Sequence, residues 1–226
     1  MSAQTSAPSD PRITVLVVDD DRWTTRAISA VLEADASLRV VGIEHTGEDA
    51  VDAFRALRPQ IVLMDVNMAP GMSGIDATAR ILQEDPRATV LVLTTISPGP
   101  GIARALEAGA MAVVTKTAPP EALVAAVRLA AAGESPSLLK NLAADIAISG
   151  DLQPDSPARF PTLTEREHAT LQLICEGMDY QSIAARQHVA ETTVKTHARS
   201  LRDKLGAQSL AQLVVRAVQY RLYSPS

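Results

Sequence analysis

The chain has 226 residues, a formal net charge of −5 at pH 7 and one cysteine, Cys175. This length suits two domains, because single domains cluster near roughly 100 to 150 residues. No apolar run approaches the roughly 18 residues that a membrane-spanning helix needs, and a single cysteine excludes an intramolecular disulfide. The N-terminal residues lack the basic and apolar regions of an export signal. The composition therefore predicts a cytoplasmic protein that makes no use of a membrane.

The charge is divided unevenly along the chain. Residues 1–160 carry 13 basic and 20 acidic side chains, whereas residues 161–226 carry 8 and 6. A mildly basic C-terminal part is compatible with nucleic-acid binding, but its excess of +2 is small. The positions of the basic side chains are therefore better evidence about nucleic-acid binding than their net charge.

Short β-branched runs alternate five times with amphipathic segments between residues 13 and 132. The predicted strands are Ile13–Val18, Arg39–Ile43, Ile61–Met64, Thr89–Leu93 and Ala112–Val114. Their nearly continuous apolar character is typical of a parallel sheet buried on both faces. We predict that the first three helices bury Trp23, Ala27, Ile28, Val31 and Leu32, then Val51, Phe54 and Leu57, then Ile75, Ala79 and Leu82.

The fourth helix is predicted to be short, from Ile102 to Ala108, because a Pro-Gly-rich run at residues 97–101 delays its start. Residues 133–160 have a linker composition with one helical patch, Leu138 to Ile148. We therefore predict an N-terminal domain over residues 12–132 and a second domain over residues 161–224.

The second domain has an all-helical pattern. Thr164 and Glu167 form the sequence signature of a capping box, and Gly177 ends the helix that follows. Asp179 is predicted to cap a short helix, residues 191–205 a longer one, and Ser209 a fourth. The predicted architecture is a five-stranded, doubly wound parallel sheet followed by a small four-helix domain. This domain fits the helix-turn-helix plan, in which the longer helix, here residues 191–205, is the recognition helix that enters the major groove of DNA.

Acidic side chains follow two of the predicted strands. Asp19 and Asp20 come after the first strand, and Asp65 comes after the third. The carboxyl ends of parallel strands meet at one edge of the sheet, so these carboxylates are expected to converge. An oxygen-only cluster of this kind suits Mg²⁺. Thr94 and Lys116, after the fourth and fifth strands, would add a hydroxyl and an ammonium group, which together with a metal suit a phosphoryl group.

These five residues on a fivefold βα scaffold resemble the receiver domain of response regulators, which has a flavodoxin-like fold, over about residues 12–132. The resemblance implies that Asp65 accepts a phosphoryl group from the phosphohistidine of a sensor histidine kinase. It further implies that Thr94 forms a hydrogen bond with the phosphoryl oxygens and that Lys116 pairs with them.

The same resemblance implies a magnesium site. Asp20, Asp65 and the backbone carbonyl of Asn67 would hold Mg²⁺, with Asp19 acting mainly through water. Asn67 lies two residues beyond the acceptor, where its side chain would tune hydrolysis of the aspartyl-phosphate.

The chain departs from the usual receiver pattern at three places. The loop after Asp65 holds an extra residue near Ala69, Val113 stands where many receivers have Tyr or Phe, and residues 97–101 are rich in Pro and Gly. Two alternatives therefore stay open. In the first, the receiver controls the same DNA-binding domain without phosphorylation, by ligand binding or constitutive dimerisation. In the second, the carboxylates and Mg²⁺ form the active site of an aspartate-based phosphatase.

The predicted helix at residues 191–205 has the two faces that a DNA-reading helix needs. Lys195, Arg199 and Arg202 recur at three- or four-residue spacing and share one face with Thr196. Thr192 and Thr193 lie at the start of the helix, where they can donate to a phosphate. The predicted buried side consists of Val194, Ala198, Leu201 and Leu205.

Residues 162–222 resemble the DNA-binding domain of the NarL/LuxR family. The motifs that carry the resemblance are Leu163-Thr164-Glu165-Arg166-Glu167, Ile183-Ala184, Thr193-Val194-Lys195-Thr196-His197 and Lys204-Leu205-Gly206. The usual Ser before the recognition helix is Ala190, and losing that cap costs about 1 kcal/mol. The resemblance implies that Lys195, Thr196 and Arg199 read base edges and that the last helix, residues 209–220, supplies a dimer face.

Together these features predict a transcription regulator that is switched by phosphorylation, rather than an enzyme. We expect a homodimer that binds two-fold related DNA half-sites. As a mechanistic hypothesis, the closed form places the receiver over the recognition helix, and phosphorylation of Asp65 favours an open dimer.

Overall fold

The computed structural model describes residues 11–95, 101–133, 136–139, 143 and 162–225. The strands are β1 (Ile13–Val18), β2 (Leu38–Glu44), β3 (Ile61–Asp65), β4 (Thr89–Thr94) and β5 (Ala112–Thr115). All neighbouring strands are parallel, in the order β2-β1-β3-β4-β5. The five-stranded, doubly wound sheet predicted from the sequence is confirmed. The strand order reverses at β1, so the carboxyl ends of β1 and β3 lie at the switch point where such sheets bind ligands.

Five helices cover the two faces of the sheet. They are α1 (Arg22–Glu33), α2 (Gly47–Leu57), α3 (Gly74–Glu84), α4 (Ile102–Glu107) and α5 (Pro120–Ala131). Asp21, Thr46 and Ser73 cap the first three by accepting a hydrogen bond from a backbone N–H of the first turn. Helix α4 is short, as predicted, and begins after Gly101, whose φ of 94° lies in the left-handed region. The other Pro-Gly residues of that segment lie outside the described residues.

The helix faces predicted to be buried are partly wrong. Trp23 is 78% exposed, and Ala27 is also exposed. The predicted Ile28 and Leu32 are buried, and Val31 is half-buried. The sheet contacts one narrow stripe of α1, so Thr25 is buried in place of Trp23 and Ala27. Where apolar residues surround much of a helix, periodicity alone does not fix the centre of its buried stripe.

Similar shifts occur in the next two helices. Leu57 is the last residue of α2 and is 43% exposed. The three residues predicted to be buried in α3, Ile75, Ala79 and Leu82, are only half-buried. The buried face of α3 consists of Gly74, Ala77, Thr78 and Ile81.

The C-terminal part is the predicted four-helix domain. Its helices are α6 (Glu165–Cys175), α7 (Tyr180–Gln187), α8 (Glu191–Leu205) and α9 (Leu210–Gln219). Both hydrogen bonds of the capping box between Thr164 and Glu167 are present, and Ala190 provides no side-chain cap to α8. No helix in the described ranges is both long and apolar enough to cross a membrane.

The segment between the two parts is described only at two places. A 3-10 turn spans Pro136–Leu139, and Leu139 and Ala143 are buried. The rest of the helix predicted at residues 138–148 lies outside the described residues. The apolar cores of the two parts are continuous, because α9 packs against α4 and against this turn as well as against α6 and α8.

Candidate functional site

Three carboxylates meet at the carboxyl ends of β1 and β3. Each of Asp19, Asp20 and Asp65 offers one oxygen, and these three atoms lie within 4.8 Å of one another. Asp19 and Asp65 are buried, whereas Asp20 is exposed. The fold thus brings together residues that are 46 positions apart in the sequence, because β1 and β3 are adjacent and in register.

Lys116 joins the two buried carboxylates. Its Nζ lies 2.6 Å from Asp19 Oδ2 and 3.0 Å from Asp65 Oδ1. The lysine is held there because its backbone N–H donates to the carbonyl of Thr94, the last residue of β4. Burial alone would lower the pKa of Lys116, but the hydrogen bonds and charges of Asp19 and Asp65 outweigh it and raise the pKa. Lys116 therefore stays charged in the pocket.

The environment of Asp65 differs from that of an ordinary surface carboxylate. Burial raises the pKa of Asp65, and the charge of Asp19 raises it further. Lys116 and the backbone N–H of Asn67 act in the opposite direction. Lys116 and the Asn67 N–H thus favour the ionised form of this buried carboxylate, which is the form that can act as a nucleophile.

The donor set fits a hard divalent cation. Asp19 Oδ2 is buried, and it faces the Lys116 ammonium group at 2.6 Å. Three carboxylates against one ammonium group leave the cluster with excess negative charge when all are ionised. A divalent cation would offset this charge, and oxygen ligands are those that Mg²⁺ prefers. The ligands that the structure brings together for it are Asp19, Asp20 and Asp65, and the backbone carbonyl of Asn67 stays a prediction from the sequence.

The loop between β3 and α3 forms the rim of the pocket. Asn67 is exposed on this loop, and Gly71 has a φ of +113°. The backbone N–H of Met72 donates to Glu48 Oε1 at 2.9 Å, so helix α2 anchors the loop. No sequence pattern predicts this role of Glu48, because the contact joins two segments 24 residues apart. The loop with its extra residue is thus tied to the scaffold.

Gly74 fixes how closely α3 approaches Asp65. A Cβ atom at this position would lie 1.6 Å from the carbonyl oxygen of Asp65. Only glycine permits this approach. Thr94 is 6% exposed and ends β4, the strand that pairs with β3. His45 also touches the pocket, since its Nδ1 lies 2.8 Å from the carbonyl oxygen of Asp19.

The second candidate surface is the exposed face of α8. Thr192, Lys195, Thr196 and Arg199 are exposed, while Thr193 and Arg202 are half-buried. The side predicted to face inward is buried as expected, at Val194, Ala198, Leu201 and Leu205. Two local contacts order the exposed face: Lys195 Nζ pairs with Glu191 at 2.8 Å, and Thr196 Oγ1 donates to the carbonyl of Thr192 at 2.9 Å.

A buried carboxylate fixes α8 against α6. Glu167 accepts hydrogen bonds from the backbone N–H of Thr164 at 2.8 Å, from Ser200 Oγ at 2.8 Å and from Lys204 Nζ at 2.7 Å. The sequence pointed only to the capping box, whereas the contacts to Ser200 and Lys204 come from packing of the two helices. Glu167 thus positions the helix that carries the exposed cations.

Glu167→Gln is expected to lower the free energy of unfolding by about 1.5–3 kcal/mol at pH 7, the range for a hydrogen bond to a charged group. Hydrogen bonds from Lys204 and Thr164 lower the pKa of Glu167 from 4.5 to about 2. A lowered pKa in the folded state stabilises the protein above pH 4.5, and this contribution disappears as the pH falls towards 2. Urea unfolding of both full-length proteins at several pH values measures the difference, which must shrink on acidification. A difference that stays constant between pH 7 and pH 3 would contradict the assignment.

A doubly wound sheet with an acidic, lysine-containing pocket, followed by a helix-turn-helix, defines a receiver joined to a DNA-binding domain. Residues 15–128 match the family described as response regulator receiver domain. Residues 161–217 match the family described as bacterial regulatory proteins, luxR family.

The similarity extends over nearly the whole chain. It is 34% identical over 213 residues to the response regulator protein VraR of Staphylococcus aureus, covering 93% of this chain and 98% of VraR. The crystal structure of the response regulator ChrA of a heme-sensing two-component system is 29% identical, with a TM-score of 0.50, and covers 94% of this chain and 100% of that one. The receiver domain of NarL from Mycobacterium tuberculosis is 27% identical over 55% of this chain and 99% of that one, with a TM-score of 0.52. The chain belongs to the NarL/LuxR family of response regulators.

Proposed function

We propose that this response regulator is a cytoplasmic transcription factor, not an enzyme, that a sensor histidine kinase switches by phosphorylating Asp65. The observation that carries the proposal is the pocket itself. Three carboxylate oxygens lie within 4.8 Å of one another, and Lys116 reaches both buried carboxylates. Such a cluster offers a nucleophile, a metal site and a counter-charge within one cavity.

The proposed reaction is phosphoryl transfer from a phosphohistidine of the kinase. A carboxylate oxygen of Asp65 attacks the phosphorus atom, the P–N bond breaks, and the histidine nitrogen keeps the electron pair. The Mg²⁺ site would consist of Asp19, Asp20, Asp65 and the carbonyl of Asn67, and the bound ion would supply positive charge that offsets the charge of the phosphoryl group. The carboxylates therefore serve as ligands as well as nucleophile.

Two further side chains receive the new phosphoryl group. Lys116 already lies 3.0 Å from the Asp65 oxygen, so its ammonium group can pair with a phosphoryl oxygen without a large movement. Thr94 ends the neighbouring strand, and its hydroxyl would donate to another phosphoryl oxygen. The exposed Asn67 side chain would tune hydrolysis of the product.

The proposed output is DNA binding by a homodimer to two-fold related half-sites. The exposed side chains of Lys195, Thr196 and Arg199 are the candidates for base contacts, since they lie on one face of α8. Thr192, Thr193 and Arg202 are the candidates for phosphate contacts. In this proposal the receiver spans residues 12–132, the linker spans residues 133–160, and the DNA-binding domain spans residues 161–224.

One incubation tests the receiver half of the proposal. The full-length protein is mixed with acetyl phosphate and Mg²⁺, and its intact mass is followed over time. A stable increment of one phosphoryl group is expected. No adduct would favour regulation without phosphorylation, the alternative that Val113 in place of an aromatic residue motivates. Continuous release of phosphate without a lasting adduct would instead indicate a phosphatase.

A further inference from the structure

The histidine at the junction of β2 and α2 lies beside the acidic pocket. Strands β1 and β2 are paired up to Val18 and Glu44, so the residues that follow them, Asp19 and His45, are neighbours. His45 is half-buried, and its Nδ1 lies 2.8 Å from the carbonyl oxygen of Asp19. A carbonyl oxygen can only accept a hydrogen bond, so Nδ1 carries a proton and is the donor.

The backbone on either side of His45 belongs to regular structure. Glu44 is the last residue of β2. Thr46 caps α2, because its Oγ1 accepts a hydrogen bond from the backbone N–H of Asp49 at 3.1 Å. A residue between a paired strand and a capped helix has little backbone freedom. The ring of His45 is therefore presented to Asp19 by a well-fixed segment.

Asp19 is held at its backbone and at its side chain. Its N–H donates to the carbonyl of Glu44 at 3.1 Å, and its own carbonyl accepts from His45. Oδ1 of Asp19 accepts from the backbone N–H of Asp21 at 3.0 Å, and Oδ2 faces Lys116 Nζ at 2.6 Å. Among these contacts, the one from His45 holds the peptide group that joins Asp19 to the following residue.

That peptide group also determines where Asp20 lies. The carbonyl of Asp19 and the Cα atom of Asp20 share one plane, because rotation about a peptide bond is strongly hindered. Asp20 is exposed, yet one of its carboxylate oxygens lies within 4.8 Å of oxygens of Asp19 and Asp65. An exposed side chain owes its place in such a cluster largely to the backbone that carries it. A hydrogen bond to the Asp19 carbonyl therefore orients two carboxylates of the cluster.

We propose that His45 is a positioning residue for the cation site: its Nδ1–H holds the Asp19–Asp20 peptide in the orientation that brings both carboxylates together with Asp65. The inference deepens the proposed function and rests on it for the reaction that the cation serves. Loss of the donor is expected to weaken cation binding about 10-fold. This is the lower end of the range of roughly 10- to 100-fold for residues that orient metal ligands, because His45 acts through the backbone.

Three variants separate the hydrogen bond from the bulk of the ring. His45→Phe keeps an aromatic ring but removes the donor. His45→Ala also removes the donor and cannot clash with its surroundings. His45→Asn removes the ring, but its amide Nδ2 can take the place of Nδ1 as the donor. His168→Phe, at an exposed position of α6, controls for the loss of an imidazole that could itself bind a metal ion.

The first measurement is cation binding by the full-length proteins without any phosphodonor. Mn²⁺ takes the same oxygen ligands as Mg²⁺, and the electron paramagnetic resonance signal of the free ion gives its affinity. Competition with Mg²⁺ then gives the affinity for Mg²⁺. His45→Phe and His45→Ala are expected to bind Mg²⁺ about 10-fold more weakly than the wild type. His45→Asn and His168→Phe should bind it as the wild type does.

The second measurement is the initial rate of phosphoryl incorporation from acetyl phosphate, followed by intact mass over a range of Mg²⁺ concentrations. The two variants without the donor should need about 10-fold more Mg²⁺ to reach half of the maximal rate. At saturating Mg²⁺ they should reach the rate of the wild type, because His45 makes no contact with the phosphoryl group in this role. A lower maximal rate with an unchanged Mg²⁺ requirement would contradict the positioning role.

The outcomes distinguish this inference from the proposed function. If the wild type binds Mg²⁺ and forms the adduct, but the variants without the donor bind Mg²⁺ equally well, the inference is wrong and the proposed function stands. A loss in His45→Asn as large as that in His45→Phe would also overturn the inference, since a donor would then be present without effect. A wild type that neither binds Mg²⁺ nor forms the adduct would overturn the proposed function and the inference together.

Discussion

Asp65→Asn is expected to abolish phosphoryl incorporation from acetyl phosphate, because an amide oxygen is a far weaker nucleophile than a carboxylate. The substitution keeps the shape of the side chain beside Lys116, whose Nζ lies 3.0 Å from Asp65 Oδ1. The intact mass of the variant should stay unchanged under conditions in which the wild type gains one phosphoryl group. Phosphodonor-dependent DNA binding should be lost together with the adduct.

Asp21→Asn provides the matched control for this variant. Asp21 is an exposed carboxylate next to the pocket that caps α1, and asparagine is an equally good cap. This variant should gain the phosphoryl group as the wild type does. Incorporation that persists in Asp65→Asn, or that disappears in Asp21→Asn at unchanged stability, would show that another residue is the acceptor.

Arg199→Ala is expected to weaken specific DNA binding by about 1–3 kcal/mol, or roughly 5- to 150-fold, if its guanidinium group contacts a base edge. Its side chain is exposed on α8, and alanine is a good helix former, so the fold should be retained. A specific site is first obtained by selecting bound fragments from a random DNA pool. Affinity for this site and for unrelated DNA is then measured by fluorescence anisotropy over a range of salt concentrations.

The salt series distinguishes base contacts from phosphate contacts. Arg202→Ala, at the candidate phosphate contact, should weaken binding to all sequences and reduce the salt slope by about one unit. Arg87→Ala removes a cation that is 93% exposed on the receiver, and it should change neither the DNA affinity nor the salt slope. An Arg199→Ala protein that loses affinity equally for specific and unrelated DNA would place Arg199 at a phosphate.

The fold and the pocket were largely predictable because both depend on strand order and strand ends. The alternation of apolar strands with amphipathic helices specified a parallel sheet, and in such a sheet the residues after β1 and β3 must meet. Asp19, Asp20 and Asp65 follow this rule. The buried face of α8 was equally clear, because a strict spacing of three and four residues leaves only one inward side.

Other features could not be predicted, because they depend on which surfaces meet. The buried stripe of α1 excludes Trp23, since the position of the sheet and not the helix period fixes its centre. Glu48 anchors the rim of the pocket through a contact between distant segments. The capping-box pattern showed one role of Glu167, but its bonds to Ser200 and Lys204 arise only when α6 and α8 pack together.

The amino-acid sequence by itself determined the two-part organisation, the sheet, the acidic pocket and the cationic face of α8, because these depend on local periodicity and on the order of strands. Tertiary structure alone decided which helix the receiver covers. The residues of α9 are apolar on nearly every side, so its pattern is compatible with burial against its own domain, a second copy or the receiver. Packing against α4, with Glu107 beside Gln212 and Arg216, selects the receiver in this structure.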